Sequence, residues 1–159
     1  RKDDNYMTID KGRRDGIAQG RGVFNSEGVI GVVMVTGNRC SVVMPVLNGR
    51  TSISCKKLGT DNFGFLEWGG GDPYKAQVKD MPYHSDISVG DTIVTTGFSS
   101  VFPENIPVGR VSEVERMKNG YTLRVEVDLA VDMTDLGWVY VNTLTRDPEI
   151  DGLYKQTDM

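Results

Sequence analysis

The chain has few of the side chains that most often perform catalysis or bind metals. Among its 159 residues are one histidine, His84, and two cysteines, Cys40 and Cys55. Two cysteines are too few for a disulfide framework, and this set lacks the ligand spacing of a zinc site. We favour two thiols buried as small hydrophobic residues, while a bond between them stays open. The sequence therefore predicts no metal and no cofactor.

Long apolar runs are also absent. No stretch approaches the roughly 20 apolar residues that a membrane helix requires. There is no signal peptide and the chain begins at Arg1, so we expect an excised region whose targeting segment lies upstream. The net charge of −4 argues against a nucleic-acid-binding protein, because such proteins usually carry a basic domain.

Glycine is abundant, at 19 of 159 residues, against an average of about 7%. Apolar and polar residues alternate from Tyr121 to Leu129 after Asn119-Gly120, which predicts a strand in a hairpin with residues 111–117. A second hairpin is predicted at Asn48-Gly49, between strands 41–46 and 51–56. Many short strands with frequent turns indicate an all-β fold. The other predicted strands are 6–9, 22–24, 29–36, 63–68, 76–79, 92–95 and 138–142.

The stretch Thr95–Val111, with the sequence TTGFSSVFPENIPVGRV, is the most distinctive part of the chain. Proline restricts the backbone and glycine widens its range, so these residues predict an irregular connection that leads into a strand. Its turn residues are Gly97, Pro103, Pro107 and Gly109.

Part of the chain is echoed seventy residues later. The pattern Ile17-x-x-Gly20-x-x-Val23 recurs as I-x-x-G-x-x-I around Gly90. The first copy is followed by GVIGVV, which contains Gly31, and the second by IPVGRV. The echo favours two similar β-barrels in tandem, although glycine and valine can recur by chance in a glycine-rich β protein.

No catalytic constellation is visible in the sequence. His84 has no neighbouring nucleophile, and Ser99 and Ser100 lie in GFSSV, which is not the G-x-S-x-G turn. Carboxylates near aromatic or glycine-rich loops are candidates for acid–base chemistry, but most of the 22 acidic residues are expected on the solvated surface. These candidates are Glu67, Asp72 and Glu104.

The loop Trp68–Tyr74, with the sequence WGGGDPY, permits two interpretations. Exposed aromatic rings beside a glycine turn could stack on sugars or on a partner protein. Alternatively, Trp68 ends a strand and covers one end of a barrel, which we favour.

Three motifs resemble the MreC family of rod-shape-determining proteins. They are GVIGVV at 28–33, GDTIVTTG at 90–97 and FPENIPVGRV at 102–111. The family pattern looks like F-P-x-G-I-P-[VI]-G-x-V, and this chain departs from it at Asn105, where glycine is usual. Because asparagine tolerates a left-handed backbone better than most residues, we expect the turn to persist. The resemblance extends from about residue 6 to residue 142.

The resemblance implies two six-stranded β-barrels that are similar in topology to chymotrypsin-like domains but have no catalytic triad. We place the first barrel in residues 1–81, the second in 82–145 and a polar tail in 146–159. The implied function is a non-catalytic scaffold of the bacterial cell-elongation complex that organises peptidoglycan synthesis and cell shape. The implied location is the periplasmic face of the inner membrane, with an N-terminal helix upstream as the anchor.

The implied partners are a class B penicillin-binding transpeptidase, MreD, RodA and the MreB filament, together with further copies of the chain. Phe98 and Val101 are the candidate contacts in the 95–111 stretch, whereas we expect Phe102 and Ile106 to fill the second barrel. The loop aromatics Trp68 and Tyr74 are the other candidates.

Two alternative functions stay open. One is a β-rich cell-wall hydrolase that uses Glu67 or Glu104. The other is a peptidoglycan-binding module centred on Trp68 and Tyr74.

Overall fold

The computed structural model describes residues 5–143, which form β-strands joined by turns and two short 3-10 segments, Arg13–Asp15 and Phe98–Ser100. The all-β prediction is confirmed. The strands of the described residues are β1 (Met7–Ile9), β2 (Gly22–Phe24), β3 (Val29–Thr36), β4 (Ser41–Pro45), β5 (Ile53–Lys57), β6 (Phe63–Glu67), β7 (Lys75–Pro82), β8 (Thr92–Thr95), β9 (Pro107–Arg116), β10 (Thr122–Leu129) and β11 (Tyr140–Val141).

The strands form two sheets of different kinds. Strands β5 to β10 close into an antiparallel barrel in the order β10-β7-β6-β5-β8-β9. The other five form an open sheet in the order β1-β4-β3-β2-β11. The prediction of a first six-stranded barrel is therefore wrong for the described residues, because β1 and β11 are the two edges and do not pair. The chymotrypsin-like topology stays a prediction.

The predicted division at residues 81 and 82 is also wrong. β7 spans that position, β5 pairs with β8, and β7 pairs with β10, so strands from before and after it share one barrel. β11 returns to the open sheet, where Tyr140 pairs with Phe24 of β2. The sequence echo marks similar local turns but does not specify which distant strands pair. The predicted tail at 146–159 lies outside the described residues.

The two predicted hairpins have opposite outcomes. β9 and β10 pair on either side of Asn119-Gly120, and Gly120 has φ of 77°, so the first hairpin is confirmed. β4 and β5 lie in different sheets, so the hairpin at Asn48-Gly49 is wrong. Neither Asn48 nor Gly49 has the positive φ that a type I′ turn requires. Buried Asn48 instead donates its side-chain amide to the Asn5 carbonyl at 2.8 Å, in the crossover between the sheets.

The sequence echo has a structural counterpart. The backbone amide of Gly20 donates to the Val33 carbonyl at 2.8 Å, and that of Gly90 donates to the Val111 carbonyl at 2.8 Å. Each glycine therefore lies two residues before a strand, β2 or β8, that pairs with the end of its own second block. The two sheets share this local frame although they differ in closure.

Gly31 and Gly109 occupy equivalent close approaches between strands. A Cβ atom would come within 2.4 Å of the Met44 carbonyl oxygen at Gly31 and within 2.2 Å of the Asp128 carbonyl oxygen at Gly109. Only glycine fits such a spacing without moving the neighbouring strand.

Alternating strands build the barrel interior. Leu123, Val125 and Val127 of β10 point inward and are buried. Cys55 belongs to this core, whereas Cys40 is exposed in the turn before β4, and both are free thiols. The expectation that both thiols are buried is therefore confirmed only for Cys55. A second core lies on the open sheet and contains Ile17, Val23, Ile30, Val33, Val43 and Val131.

Candidate protein-binding surface

Three phenylalanines form a cluster on the outside of the closed barrel, in which Phe63 contacts the other two. The rings of Phe63 and Phe98 meet edge to face, with centroids 5.0 Å apart, and those of Phe63 and Phe65 do so at 5.8 Å. Their exposed fractions are 39% for Phe63, 36% for Phe65 and 51% for Phe98. We call these three residues the aromatic surface. Exposed apolar clusters of this kind often mark sites of protein–protein contact.

Local sequence places two of the rings on one face. Phe63 and Phe65 are two residues apart on β6, so both point outward while Gly64 and Leu66 are buried. Phe98 comes from the 3-10 segment after β8. Because β5 lies between β6 and β8 in the barrel order, the segment that carries Phe98 must reach across β5 to contact Phe63.

Charged side chains border the aromatic surface. Lys79 pairs across the sheet with Phe65 and forms an ion pair with Glu67 at 2.8 Å. Lys56 pairs across the sheet with Phe63 and forms an ion pair with Glu104. An apolar centre with a polar border is the usual anatomy of a protein interface. Glu67 and Glu104, the two carboxylates considered for acid–base chemistry, each form an ion pair with a lysine.

The backbone after β8 is unusually strained. Gly97, Ser99, Ser100 and Asn105 all have positive φ, at 80°, 57°, 56° and 69°. Asn105 thus has the left-handed conformation expected where the family pattern has glycine. A left-handed residue other than glycine costs roughly 1–2 kcal/mol, so contacts elsewhere must hold Ser99 and Ser100 in place.

The other predicted turn residues also shape this connection. The carbonyl of Pro103 accepts a hydrogen bond from the Thr95 hydroxyl at 2.7 Å. Pro107 begins β9, and the Thr95 backbone amide donates to the Ile106 carbonyl at 2.9 Å. The last residues of the connection are therefore hydrogen-bonded to Thr95, the residue at which β8 ends.

The segment that carries Phe98 also contacts the open sheet. The backbone amide of Gly22 donates to the Val101 carbonyl at 2.7 Å. The side-chain amide of Asn142 donates to the carbonyls of Ser100 at 2.9 Å and Val101 at 3.2 Å. Arg21 donates to the Ser100 carbonyl at 3.3 Å. The segment is therefore held against the open sheet by β2, by the residue before it and by the residue after β11.

The predicted contacts in this stretch differ in exposure. Phe98 is exposed, whereas Val101 is half-buried against the barrel core. Phe102 is buried in that core, and Ile106 packs against it, as expected. A role for Phe98 and Val101 in partner binding stays a prediction, with Val101 placed to support Phe98.

The loop aromatics do not form a pair of exposed rings. Trp68 is 7% exposed, and its indole Nε1–H donates to the Asp72 carbonyl at 2.9 Å. It lines a cleft of about 370 Å³ together with Tyr6, Leu47 and Met133. Trp68 is therefore buried directly after β6, and its role in covering one end of a barrel stays a prediction. Tyr74 is exposed. It follows the C-terminal end of β6, whereas Phe63 is at the N-terminal end of that strand.

The remaining candidates for chemistry lie apart. His84 is exposed after β7 and forms no hydrogen bond with Ser99 or Ser100 in the described structure. Between residues 5 and 143, no group of three or more His, Cys, Asp or Glu side chains is placed to hold a metal. No helix in the same range is long and apolar enough to cross a membrane.

Sequence reasoning missed Phe63, Phe65 and Asn142. Two residues that are two positions apart on a strand share a face, but this spacing does not indicate whether that face is inside or outside the barrel. Asn142 carried no local signal, because its partners are 41 and 42 residues away.

The family assignment rests on a match over most of the chain. Residues 1–143 match the family model described as rod shape-determining protein MreC, barrel core. The chain belongs to the MreC family.

Individual relatives agree with the family match. The cell shape-determining protein MreC of Listeria monocytogenes is 30% identical over 146 residues, which cover 90% of this chain and 49% of the relative. A solved MreC structure from Listeria has a TM-score of 0.81 at 28% identity, covering 91% of this chain and 72% of that one. This chain spans about half the length of the Listeria relative.

A more distant structure shares the fold. It is described as a complex between penicillin-binding protein PBP2 and MreC from Helicobacter pylori. Its TM-score is 0.64 at 20% identity, and the match covers 76% of this chain and 75% of that chain.

Proposed function

We propose that this chain is a non-catalytic, extracytoplasmic scaffold of the cell-elongation complex and that its aromatic surface binds the elongation transpeptidase. The observation that carries the proposal is the cluster of three exposed aromatic side chains on the outer wall of the barrel, Phe63, Phe65 and Phe98. Large aromatic side chains surrounded by polar groups dominate the binding energy of many interfaces. Such a surface organises partners without any titrating group.

The partner class is supported by the comparisons. The relatives are named cell shape-determining proteins, and the Helicobacter structure contains MreC together with a penicillin-binding protein. A class B penicillin-binding transpeptidase is therefore the partner that we propose for this chain. Contacts with MreD, RodA and MreB, self-association and anchoring at the inner membrane stay predictions.

The size of the exposed rings is sufficient for the proposed role. Complete burial of a phenylalanine contributes roughly 1.5–3 kcal/mol, and each of the three rings still has about a third or more of its surface exposed. The edge-to-face contacts already restrict the rings, so a partner meets side chains that have lost much of their freedom.

The proposal is tested by measuring the affinity of the chain for the purified extracytoplasmic region of the transpeptidase. We expect Phe98→Ala and Phe63→Ala each to weaken binding about tenfold or more, as truncation of an interface anchor typically does. Tyr121→Ala is the matched control, because Tyr121 is 79% exposed but lies in the β9–β10 turn. We expect this control to bind like the wild-type chain.

Two results would contradict the proposal. One is a wild-type chain that does not bind the transpeptidase, and the other is an equal loss of affinity for Tyr121→Ala and Phe98→Ala. Incubation with peptidoglycan tests the non-catalytic part of the proposal. Turnover that is abolished by Glu67→Gln or Glu104→Gln would show an enzyme instead of a scaffold.

A further inference from the structure

We infer that Asn142 is a positioning residue for Phe98. By fixing the strained segment against the open sheet, it allows the aromatic surface to form only when the two sheets are docked. The effect on transpeptidase binding rests on the proposed function, but the positioning of Phe98 can be measured without any partner.

Asn142 is built into the junction between the sheets. It is 5% exposed, and its backbone amide donates to the Gly22 carbonyl at 2.9 Å. Its side-chain amide donates to the carbonyls of Ser100 and Val101. The residue thus connects β2 of the open sheet with the segment that carries Phe98.

The Ser100 and Val101 carbonyls belong to a strained part of the backbone. Ser99 and Ser100 are both left-handed, with φ of 57° and 56°, immediately after Phe98. Such strain persists only where surrounding contacts determine the backbone conformation. Hydrogen bonds from Asn142, together with those from Gly22 and Arg21, hold the peptides at Ser100 and Val101. Weakening this set would let the backbone relax and carry Phe98 away from Phe63.

The barrel holds the other end of the same segment. The Thr96 hydroxyl donates to the Ser54 hydroxyl at 3.1 Å and accepts the backbone amide of Phe98 at 3.1 Å. Phe98 therefore lies between an attachment to β5 and an attachment to the open sheet. Loss of the Asn142 side chain removes two of the hydrogen bonds to the open sheet and leaves the single ones from Gly22 to the Val101 carbonyl and from Arg21 to the Ser100 carbonyl.

Asn142→Asp isolates the donor function of the side chain. Aspartate has nearly the same shape, but its ionised carboxylate has no N–H group and would face two carbonyl oxygens. We expect the ring-proton shifts of Phe98, which report its contact with Phe63, to move toward those of an unstructured phenylalanine. We also expect transpeptidase binding to weaken about tenfold. Asn142→Ala, which adds no charge, should change both in the same direction.

Asn48→Asp is the matched control. Asn48 is also buried and also donates its side-chain amide to a backbone carbonyl, that of Asn5, but it lies in the β4–β5 crossover. We expect lower thermal stability for this variant with unchanged Phe98 ring shifts. Far-ultraviolet circular dichroism establishes that each variant is folded before the shifts are compared.

A double variant separates positioning from general destabilisation. If Asn142 acts through Phe98, Asn142→Asp should cause no further loss of binding in the Phe98→Ala background. A full additional loss there would overturn the inference, as would unchanged Phe98 ring shifts in Asn142→Asp. If the ring shifts move while Phe98→Ala binds normally, the positioning role stands and the proposed binding surface fails.

Discussion

The ring of Phe102 lies directly against the α-carbon of Gly22. A Cβ atom at Gly22 would come within 2.4 Å of two ring carbons, Cδ1 and Cε1. Phe102 is part of the barrel core, whereas Gly22 begins β2 of the open sheet. This contact packs the two sheets together beside the segment that Asn142 holds.

We expect Gly22→Ala to lower the free energy of unfolding by about 1–3 kcal/mol, the usual cost of overpacking a well-filled core. The added methyl group would displace the Phe102 ring, so the Phe98 ring shifts should change as well. Urea denaturation measures the first effect and NMR the second. Gly137→Ala is the control, since a Cβ atom there would meet nothing within 4 Å. Equal stability of the two variants would contradict this account of the contact.

Trp68 offers a test of the structural role of the loop between β6 and β7. We expect Trp68→Ala to reduce the free energy of unfolding by about 3–5 kcal/mol, as is typical for a buried tryptophan. Trp68→Phe should lower the free energy of unfolding by less, because phenylalanine keeps much of the packing although it loses the hydrogen bond to the Asp72 carbonyl. Tyr74→Ala, at an exposed position, should change stability little.

The same variants address the peptidoglycan-binding alternative. If a folded Trp68→Phe chain lost an affinity for muropeptides that the wild-type chain possesses, Trp68 would be a ligand contact as well as a core residue. Titration of muropeptides against both proteins makes that comparison.

The buried thiol of Cys55 predicts a pH dependence. Burial raises the pKa of Cys55 from its ordinary value of 9.0 to about 12, a hydrogen bond from the Leu66 backbone lowering it only in part. In the unfolded chain the thiol ionises near pH 9, while in the folded chain it stays protonated. Its contribution to stability is therefore complete below pH 9 and is lost as the pH rises from 9 to about 12.

Urea denaturation of wild type and Cys55→Ala across this pH range measures the effect. The wild-type free energy of unfolding should fall more steeply with pH than that of the variant, and parallel curves would refute the prediction. Thiol labelling gives an independent check: the exposed Cys40 should react in the folded chain, and Cys55 only after denaturation.

Local sequence was sufficient for features that depend on neighbouring residues. Alternation from Leu123 to Val127 predicted an inward-facing row of β10, and Asn119-Gly120 predicted the turn before it. The family pattern has glycine at the position of Asn105, and this predicted a left-handed backbone there. In each case the conformation depends on the steric and hydrogen-bonding preferences of residues a few positions apart.

Pairing between distant strands required the tertiary structure. Asn48-Gly49 has the composition of a hairpin turn, yet β4 and β5 belong to different sheets. Asn48 instead donates a hydrogen bond to the carbonyl of Asn5, which is distant in the sequence. Likewise, alternation on β6 did not distinguish the inside of a barrel from its outside.

The sequence by itself determined an all-β protein, its turn motifs and, through those motifs, its resemblance to the MreC family. Only the tertiary structure decided that one sheet closes while the other stays open, and that Phe63 meets Phe98. The physical reason is the range of the interactions. Turn preferences operate within a few residues, whereas the Phe63–Phe98 contact and the Asn142 hydrogen bonds depend on how separate strands pack.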